Sequence, residues 1–225
     1  MKISVITPSI RPDGLKTTFN TLKQQTLPQS EWEWLPRLSI PGEKPDLCYQ
    51  MNQALKEAKG ELIVFLQDHI EIEPNALERC WQVYQEHPDT CYTMPVGKRR
   101  NDGIEWDWRL YWKHRDTVPS DRWEIDFGMC PTKAIRDVGF DERYDSGFGW
   151  ENVDTAYLLE KQGWKFSADP ENKAVAFDHD ANEPHPFKKK TNAVLWATRK
   201  AVIDLIYEKE TTGEVQGMQH GEEGL

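Results

Sequence analysis

Between Gly60 and Glu71 the chain runs Gly-Glu-Leu-Ile-Val-Phe-Leu-Gln-Asp-His-Ile-Glu, and this stretch does most to narrow what it can fold into. Five apolar residues, Leu62 to Leu66, follow one another without a break and then give way at once to Gln67, Asp68 and His69. With no polar residue alternating among them, a strand made of these five hides both faces, as parallel strands in α/β sheets do. Such a strand can offer chemistry only past its end. Ligands in open α/β sheets gather outside the carboxyl ends of the strands, which places Asp68 and His69 where an ion or an anionic substrate is met. Taken alone, one acid and one histidine amount to a polar turn.

The flanking sequence supplies the strands and helices that such a sheet needs. Residues 3 to 7 form a β-branched strand ending at Pro8, and Leu15, Phe19 and Leu22 share a face of the following helix. Trp34 to Ile40 is a second strand, broken by Pro36. Asp46 is an N-cap for a helix with Leu47, Met51, Ala54, Leu55 and Ala58 at a 3.6-residue period, and Gly60 is expected to close it at the C-cap. Pro74 opens a helix with Leu77, Cys80, Trp81 and Tyr84 on one side, ending at Pro88. Cys91 to Val96 and Trp123 to Met129 are further strands, and Pro131 to Val138 is a short helix stopped by Gly139. Past a glycine-rich turn, a helix runs to about Lys161, before Gly163. Trp164 to Ala168 and Ala174 to Phe177 are short strands, and a helix from about Asn192 to Lys209 shows Leu195, Thr198, Val202, Leu205 and Ile206 on one face. From Gly97 to Arg122 the periodicity dissolves into a long segment rich in Trp and Arg, and long loops inside compact domains are usually functional.

Charge and cysteine usage exclude several classes. A net charge of -10, from 38 acidic and 28 basic residues, argues against nucleic acid or an anionic membrane as the partner of the whole chain. Lys98-Arg99-Arg100 is a local exception. No apolar run reaches transmembrane length, and Met1 to Ser9 looks like a strand rather than a signal peptide, so a soluble, cytoplasmic protein is expected. Cys48, Cys80, Cys91 and Cys130 are far apart and include no CxxC pair, which favours buried thiols over disulfides or a zinc site.

Strands alternating with helices, a helix before a buried strand that ends in an acid and a histidine, and a late glycine-rich turn into Trp150-Glu151-Asn152-Val153-Asp154 form a specific succession. It resembles a glycosyltransferase of the GT-A fold, near family 2 and the galactosyltransferase-like C-terminal module, over roughly residues 1 to 180. The resemblance implies an α/β fold in which a mostly parallel central sheet is flanked by helices in one domain, residues 1–180. Residues 181–209 are then a C-terminal helical extension and 210–225 a disordered tail.

The resemblance also implies roles. Gln67-Asp68-His69 stands where the family carries its acidic DxD signature and is similar to the DxH variant of polypeptide N-acetylgalactosaminyltransferases, with Gln67 replacing the first acid. A divalent cation held there neutralises the departing nucleotide diphosphate. Asp68 and His69 are candidate ligands, joined by His179 of Asp178-His179-Asp180, and histidine ligation favours manganese over magnesium. Thr7, Pro8, Arg11, Asn52, Gln67 and Asp68 are candidates for binding the nucleotide sugar; the strand-end acid that usually grips uracil has no counterpart. Gly147-Phe-Gly-Trp-Glu-Asn-Val-Asp154 resembles the acceptor-side motif, which makes Glu151 and Asp154, three residues apart on one helix face, the catalytic acids. Acids in a first helical turn also complement the helix dipole without doing chemistry. Trp106, Trp108, Trp112, Tyr144 and Trp150 are candidate stacking platforms for sugar or acceptor. Inverting relatives carry Glu-Asp where this chain has Glu151-Asn152, so stereochemistry stays open, with inversion slightly favoured. The implied function is metal-dependent transfer of a sugar from a nucleotide-diphosphate donor, UDP-linked by preference, to a hydroxyl of a glycan or other acceptor. The alternatives are a binding module with a degenerate site and an enzyme that glycosylates nucleic acid.

Overall fold

The computed structural model describes residues 1–9, 12–39, 46–112, 117–146, 149–177 and 192–212. Within them the chain runs β1 (Ile3–Ser9), α1 (Pro12–Leu22), β2 (Trp32–Leu38), α2 (Leu47–Glu57), β3 (Leu62–Leu66), β4 (Ile70–Ile72), α3 (Ala76–Glu86), β5 (Thr90–Thr93), β6 (Val96–Arg100) and β7 (Gly103–Trp106), then β8 (Phe127–Pro131), α4 (Thr132–Val138), α5 (Glu151–Lys161), β9 (Lys165–Ala168), β10 (Ala174–Ala176) and α6 (Ala193–Thr212). Six strands make the central sheet, in the order β2-β1-β3-β8-β5-β9, and β4-β10-β6-β7 make a smaller second sheet. β3 is the run Leu62–Leu66, buried at every position. Its pleat explains why: Leu62, Val64 and Leu66 enter one core with Leu22, Leu77 and Cys80 of α1 and α3, while Ile63 and Phe65 enter another with Met51, Ile135 and Leu159 of α2, α4 and α5. Each of these buried side chains contributes roughly 1.5–3 kcal/mol relative to exposure.

Five strands of the central sheet point the same way; β8 is reversed, antiparallel to both β3 and β5. The segment leading into β8 therefore lies at the edge where the other five strands end. Pro36 does not break the second strand, which runs from Trp32 to Leu38, because β2 is an edge strand with β1 as its neighbour.

Several local expectations are corrected. α2 ends at Glu57 with Ala58 as its C-cap, and Gly60 is required for another reason. A Cβ there would lie 2.4 Å from the Ser4 amide nitrogen and 2.5 Å from the Ile3 carbonyl carbon, so β1 passes too close for any side chain. At the other end of α2, Asp46 makes no side-chain cap bond. The Asp145 carboxylate, distant in sequence, accepts the Cys48 and Tyr49 amides at 2.7 and 3.2 Å and burial raises its pKa. The strand expected over Cys91 to Val96 is two strands in different sheets, and the segment after Gly97 forms the β6–β7 hairpin rather than a long loop. Trp123 to Asp126 precede β8 instead of belonging to it. α6 turns Trp196, Arg199 and Ile203 inward, whereas Val202, Leu205 and Ile206 are exposed, because ion pairs and hydrogen bonds rather than an apolar stripe hold it to α5. Two stops hold as expected: Gly139 ends α4 at φ 63°, and Gly163, at φ 88°, ends α5 with Gly163 and Trp164 amides donating to the Glu160 and Leu159 carbonyls. All four cysteines are buried thiols.

Gly60→Ala is expected to destabilise the protein by at least about 2 kcal/mol, since the obstruction is backbone and cannot move aside. Urea unfolding measures this; a change within about 0.5 kcal/mol contradicts the close packing of β1 on Gly60.

Candidate functional site

At the end of β3 the chain turns polar where α1 begins. Asp68 is 3% exposed; its Oδ2 accepts the Ser9 hydroxyl at 2.6 Å, and its Oδ1 lies 2.9 Å from His69 Nδ1. A Cβ on Gly14 would come within 2.7 Å of Asp68 Oδ2, so the first turn of α1 lies directly against the carboxylate. Thr18 of α1 donates to the Gln67 carbonyl at 3.3 Å. Thr7, also buried, accepts the Trp34 indole N–H at 2.9 Å, and Pro8 is half-buried beside it. These contacts bind the ends of β1 and β3 and the start of α1 into one edge. Arg11 lies outside the described residues.

Asp68 and His69, one carboxylate and one imidazole side by side, are groups that could hold a divalent cation. Among the described residues no group of three or more His, Cys, Asp or Glu forms a complete metal cage. His179 lies outside the described residues. Phe177, two positions before it in sequence, donates its amide to the His69 carbonyl at 3.0 Å.

The start of α5 carries the second group of candidate residues. Trp150 is its N-cap, held at φ 78° and ψ -6°, a left-handed conformation that is an outlier for a bulky residue. Its indole stacks on Trp196 of α6, with centroids 6.3 Å apart at 19°. Glu151 follows, its carboxyl raised in pKa by burial first and by the Asp145 charge second, with its own amide opposing. Asn152 is buried and donates to the Trp123 carbonyl at 2.7 Å and to Glu124 Oε2 at 3.2 Å.

The other acid of the pair has a different environment. Asp154 is 1% exposed, and both of its oxygens are taken at 2.7 Å by the Arg199 guanidinium. Asn52 is likewise engaged within the protein: it donates to the Phe140 carbonyl at 2.8 Å and accepts the Phe140 amide at 2.9 Å, joining α2 to the turn before α5. Tyr144 is 2% exposed with its hydroxyl facing the Asp154–Arg199 pair, so its ring has no free face for a sugar. Trp108 packs edge-on against Trp112 under Arg122, and Trp106 sits on the second sheet beneath Lys173. Trp150, at the site and partly exposed, keeps an accessible indole.

The structure adds charged groups that the sequence pattern did not single out. The Arg109 guanidinium, 3% exposed, is clamped between Asp107 at 2.9 Å and Asp126 at 2.7 Å and also donates to Thr93 at 3.0 Å. The Gln67 amide donates to the Asp126 carbonyl at 2.9 Å, which sets this cluster beside the end of β3. Glu124 completes it. Burial pushes its carboxyl up to about 7, with the Asp126, Glu151 and Asp107 charges adding to the shift and Arg109 opposing it. The residue as a whole is exposed, although its carboxyl is desolvated. The available signal was the alternation Glu124-Ile125-Asp126-Phe127, acids at both polar positions of a strand entrance.

Comparison with known proteins bears on the fold. Residues 40–143 match the family described as Glycosyl transferase family 2, a span that includes Gln67-Asp68-His69 and Glu124 and stops short of Glu151. No curated protein sequence is significantly similar to the chain. Among solved structures, S. aureus TarS 1-349 in complex with UDP superposes with a TM-score of 0.61 at 17% identity, covering 79% of this chain and 61% of that one. The same protein in complex with UDP-GlcNAc gives 0.62 at 17% identity, with 81% and 60% covered. GalNAc-T7 with UDP, GalNAc and Mn2+ gives 0.61 at 14% identity, with 98% and 53% covered. The chain thus spans about three fifths or less of the length of these structures, and it has the GT-A glycosyltransferase fold that they share.

The strained N-cap gives a test. Holding Trp150 left-handed costs about 1–2 kcal/mol, a cost that Ala would retain and Gly would not. Trp150→Gly is expected to be more stable than Trp150→Ala by about 1 kcal/mol, measured by urea unfolding. An alanine variant as stable as the glycine variant contradicts the left-handed backbone.

Proposed function

We propose that this chain is a glycosyltransferase that moves a sugar from a nucleotide-diphosphate sugar, UDP-linked by preference, to a hydroxyl of a glycan or other acceptor. The observation that carries the reading is the linkage of the β3 end, which bears Asp68-His69, to the start of α5: the Gln67 amide donates to the Asp126 carbonyl at 2.9 Å, and Glu124 of the same segment accepts from Asn152, next to Glu151, at 3.2 Å. UDP and UDP-GlcNAc occupy TarS, and UDP, GalNAc and Mn2+ occupy GalNAc-T7, on the same fold. Thr7, Pro8 and Gln67 line the donor half, with Arg11 and His179 assigned from the sequence. Asp68 and His69 would hold a divalent cation, manganese in preference to magnesium, which supplies charge neutralisation at the diphosphate when bound. Asn52 and Asp154 act by position, fixing the turn before α5 and α5 itself through Phe140 and Arg199. Glu151 lies on the acceptor side, and Trp150 offers the acceptor sugar a stacking face.

Among the described residues no helix is long and apolar enough to cross a membrane. The basic residues Lys98, Arg99 and Arg100 lie exposed on β6, where Arg100 pairs with Glu105 at 2.9 Å and Arg99 stacks over Phe177. These local partners weaken the case for a nucleic-acid acceptor.

Release of UDP from a panel of UDP-sugars tests the reading. Turnover is expected with manganese, to be lost with EDTA, and to fall by roughly 100-fold or more in Asp68→Asn and in Glu151→Gln. A protein that binds UDP yet leaves every sugar donor intact is a binding module, and one that neither binds nor turns over any donor is not a transferase of this class.

A further inference from the structure

We propose that Glu124 is the base that deprotonates the acceptor hydroxyl. The inference rests on the transferase reading and adds to it the residue that drives inversion. Because β8 is reversed, its approach segment brings Glu124 to the edge where β3 ends, and Asn152 Nδ2 fixes the carboxylate there by a 3.2 Å hydrogen bond to Oε2.

The surrounding charges separate Glu124 from the other acids. Asp107 and Asp126 are both bound to Arg109, which pins their oxygens. Asp154 is bound to Arg199. Glu151 is half-buried at the helix start beside Asp145. Glu124 faces Asp126 of its own segment, Asp107 and Arg109 of the 107–111 turn, and Glu151 of α5, and it alone in this set is a solvent-exposed residue reachable by an incoming acceptor. Its carboxyl, pushed up to about 7, is half ionised near neutrality, the range in which a general base works best. In the step, the acceptor O–H gives its proton to the Glu124 carboxylate as its oxygen bonds to the anomeric carbon. The bond from that carbon to the diphosphate oxygen breaks, its electron pair leaves with the nucleoside diphosphate, and the configuration inverts.

Hydrolysis of UDP-GlcNAc and UDP-Gal by the full chain with manganese is the probe, water replacing the acceptor. Wild type should lose kcat as pH falls below about 7, in line with the raised carboxyl. Glu124→Gln should lower kcat by roughly 100-fold or more with little change in donor KM and no such acidic limb, and formate should partly restore Glu124→Ala. Glu151→Gln should be slower but keep the limb, which distinguishes the two carboxylates. An active wild type whose Glu124→Gln variant retains both rate and pH profile overturns this assignment alone. A wild type that neither binds nor hydrolyses any nucleotide sugar overturns the transferase reading and the assignment together.

Discussion

Burial of β3 on both faces is the constraint from which the rest of this structure follows. Its five side chains divide between two cores, so neither face can carry a polar group without leaving it unsatisfied. Chemistry is displaced to the strand end, where the chain becomes polar within one residue. There Asp68 is stabilised by the Ser9 hydroxyl and His69, and Gly14 keeps the first turn of α1 close enough for its backbone to face the same carboxylate. The same arrangement that completes the core thus joins β1, α1 and β3 at one edge.

The second half of the site is held by polar links between elements far apart in sequence. Asp145 caps α2, Asn52 of α2 grips the Phe140 backbone, and Asp154 of α5 is clamped by Arg199 of α6. Breaking one partner of such a buried pair leaves an uncompensated group, so these contacts specify position more than they add net stability. They hold Glu151 and Trp150 in place, and Trp150 remains in a strained backbone conformation because its ring is stacked on Trp196. Reversal of β8 adds a third contribution, carrying Glu124 and the Arg109 cluster to the same edge.

Much of this was legible in the sequence where a single local rule decided the outcome. The unbroken run Leu62–Leu66, the helix stops at Gly139 and Gly163, and the first turn at Glu151 all follow from periodicity or from glycine conformation. What failed did so because the deciding partner was remote. Gly60 looked like a helix stop, but its reason is the passage of β1; Asp46 looked like a cap, but the cap comes from Asp145. Asp154 and Tyr144 had the right residue types for a site, yet Arg199, more than forty positions further on, takes both Asp154 oxygens, and Tyr144 is buried in the core with Phe140 and Leu159. The apolar pattern of α6 misassigned its inner face, because a helix anchored by Arg199 and Asp204 need not bury its leucines. Lys98 to Trp106 carried strand pairing that a mixture of charged and aromatic residues concealed.

The central claim is that the edge formed by β1, α1 and the end of β3 receives a nucleotide diphosphate. Hydrogen-exchange mass spectrometry with UDP and manganese tests it on the intact chain. The account predicts slowed exchange in peptides covering residues 5–22 and 62–72, with α3 and β9 unchanged. Absence of protection in both peptides, or protection confined to elements away from that edge, contradicts it.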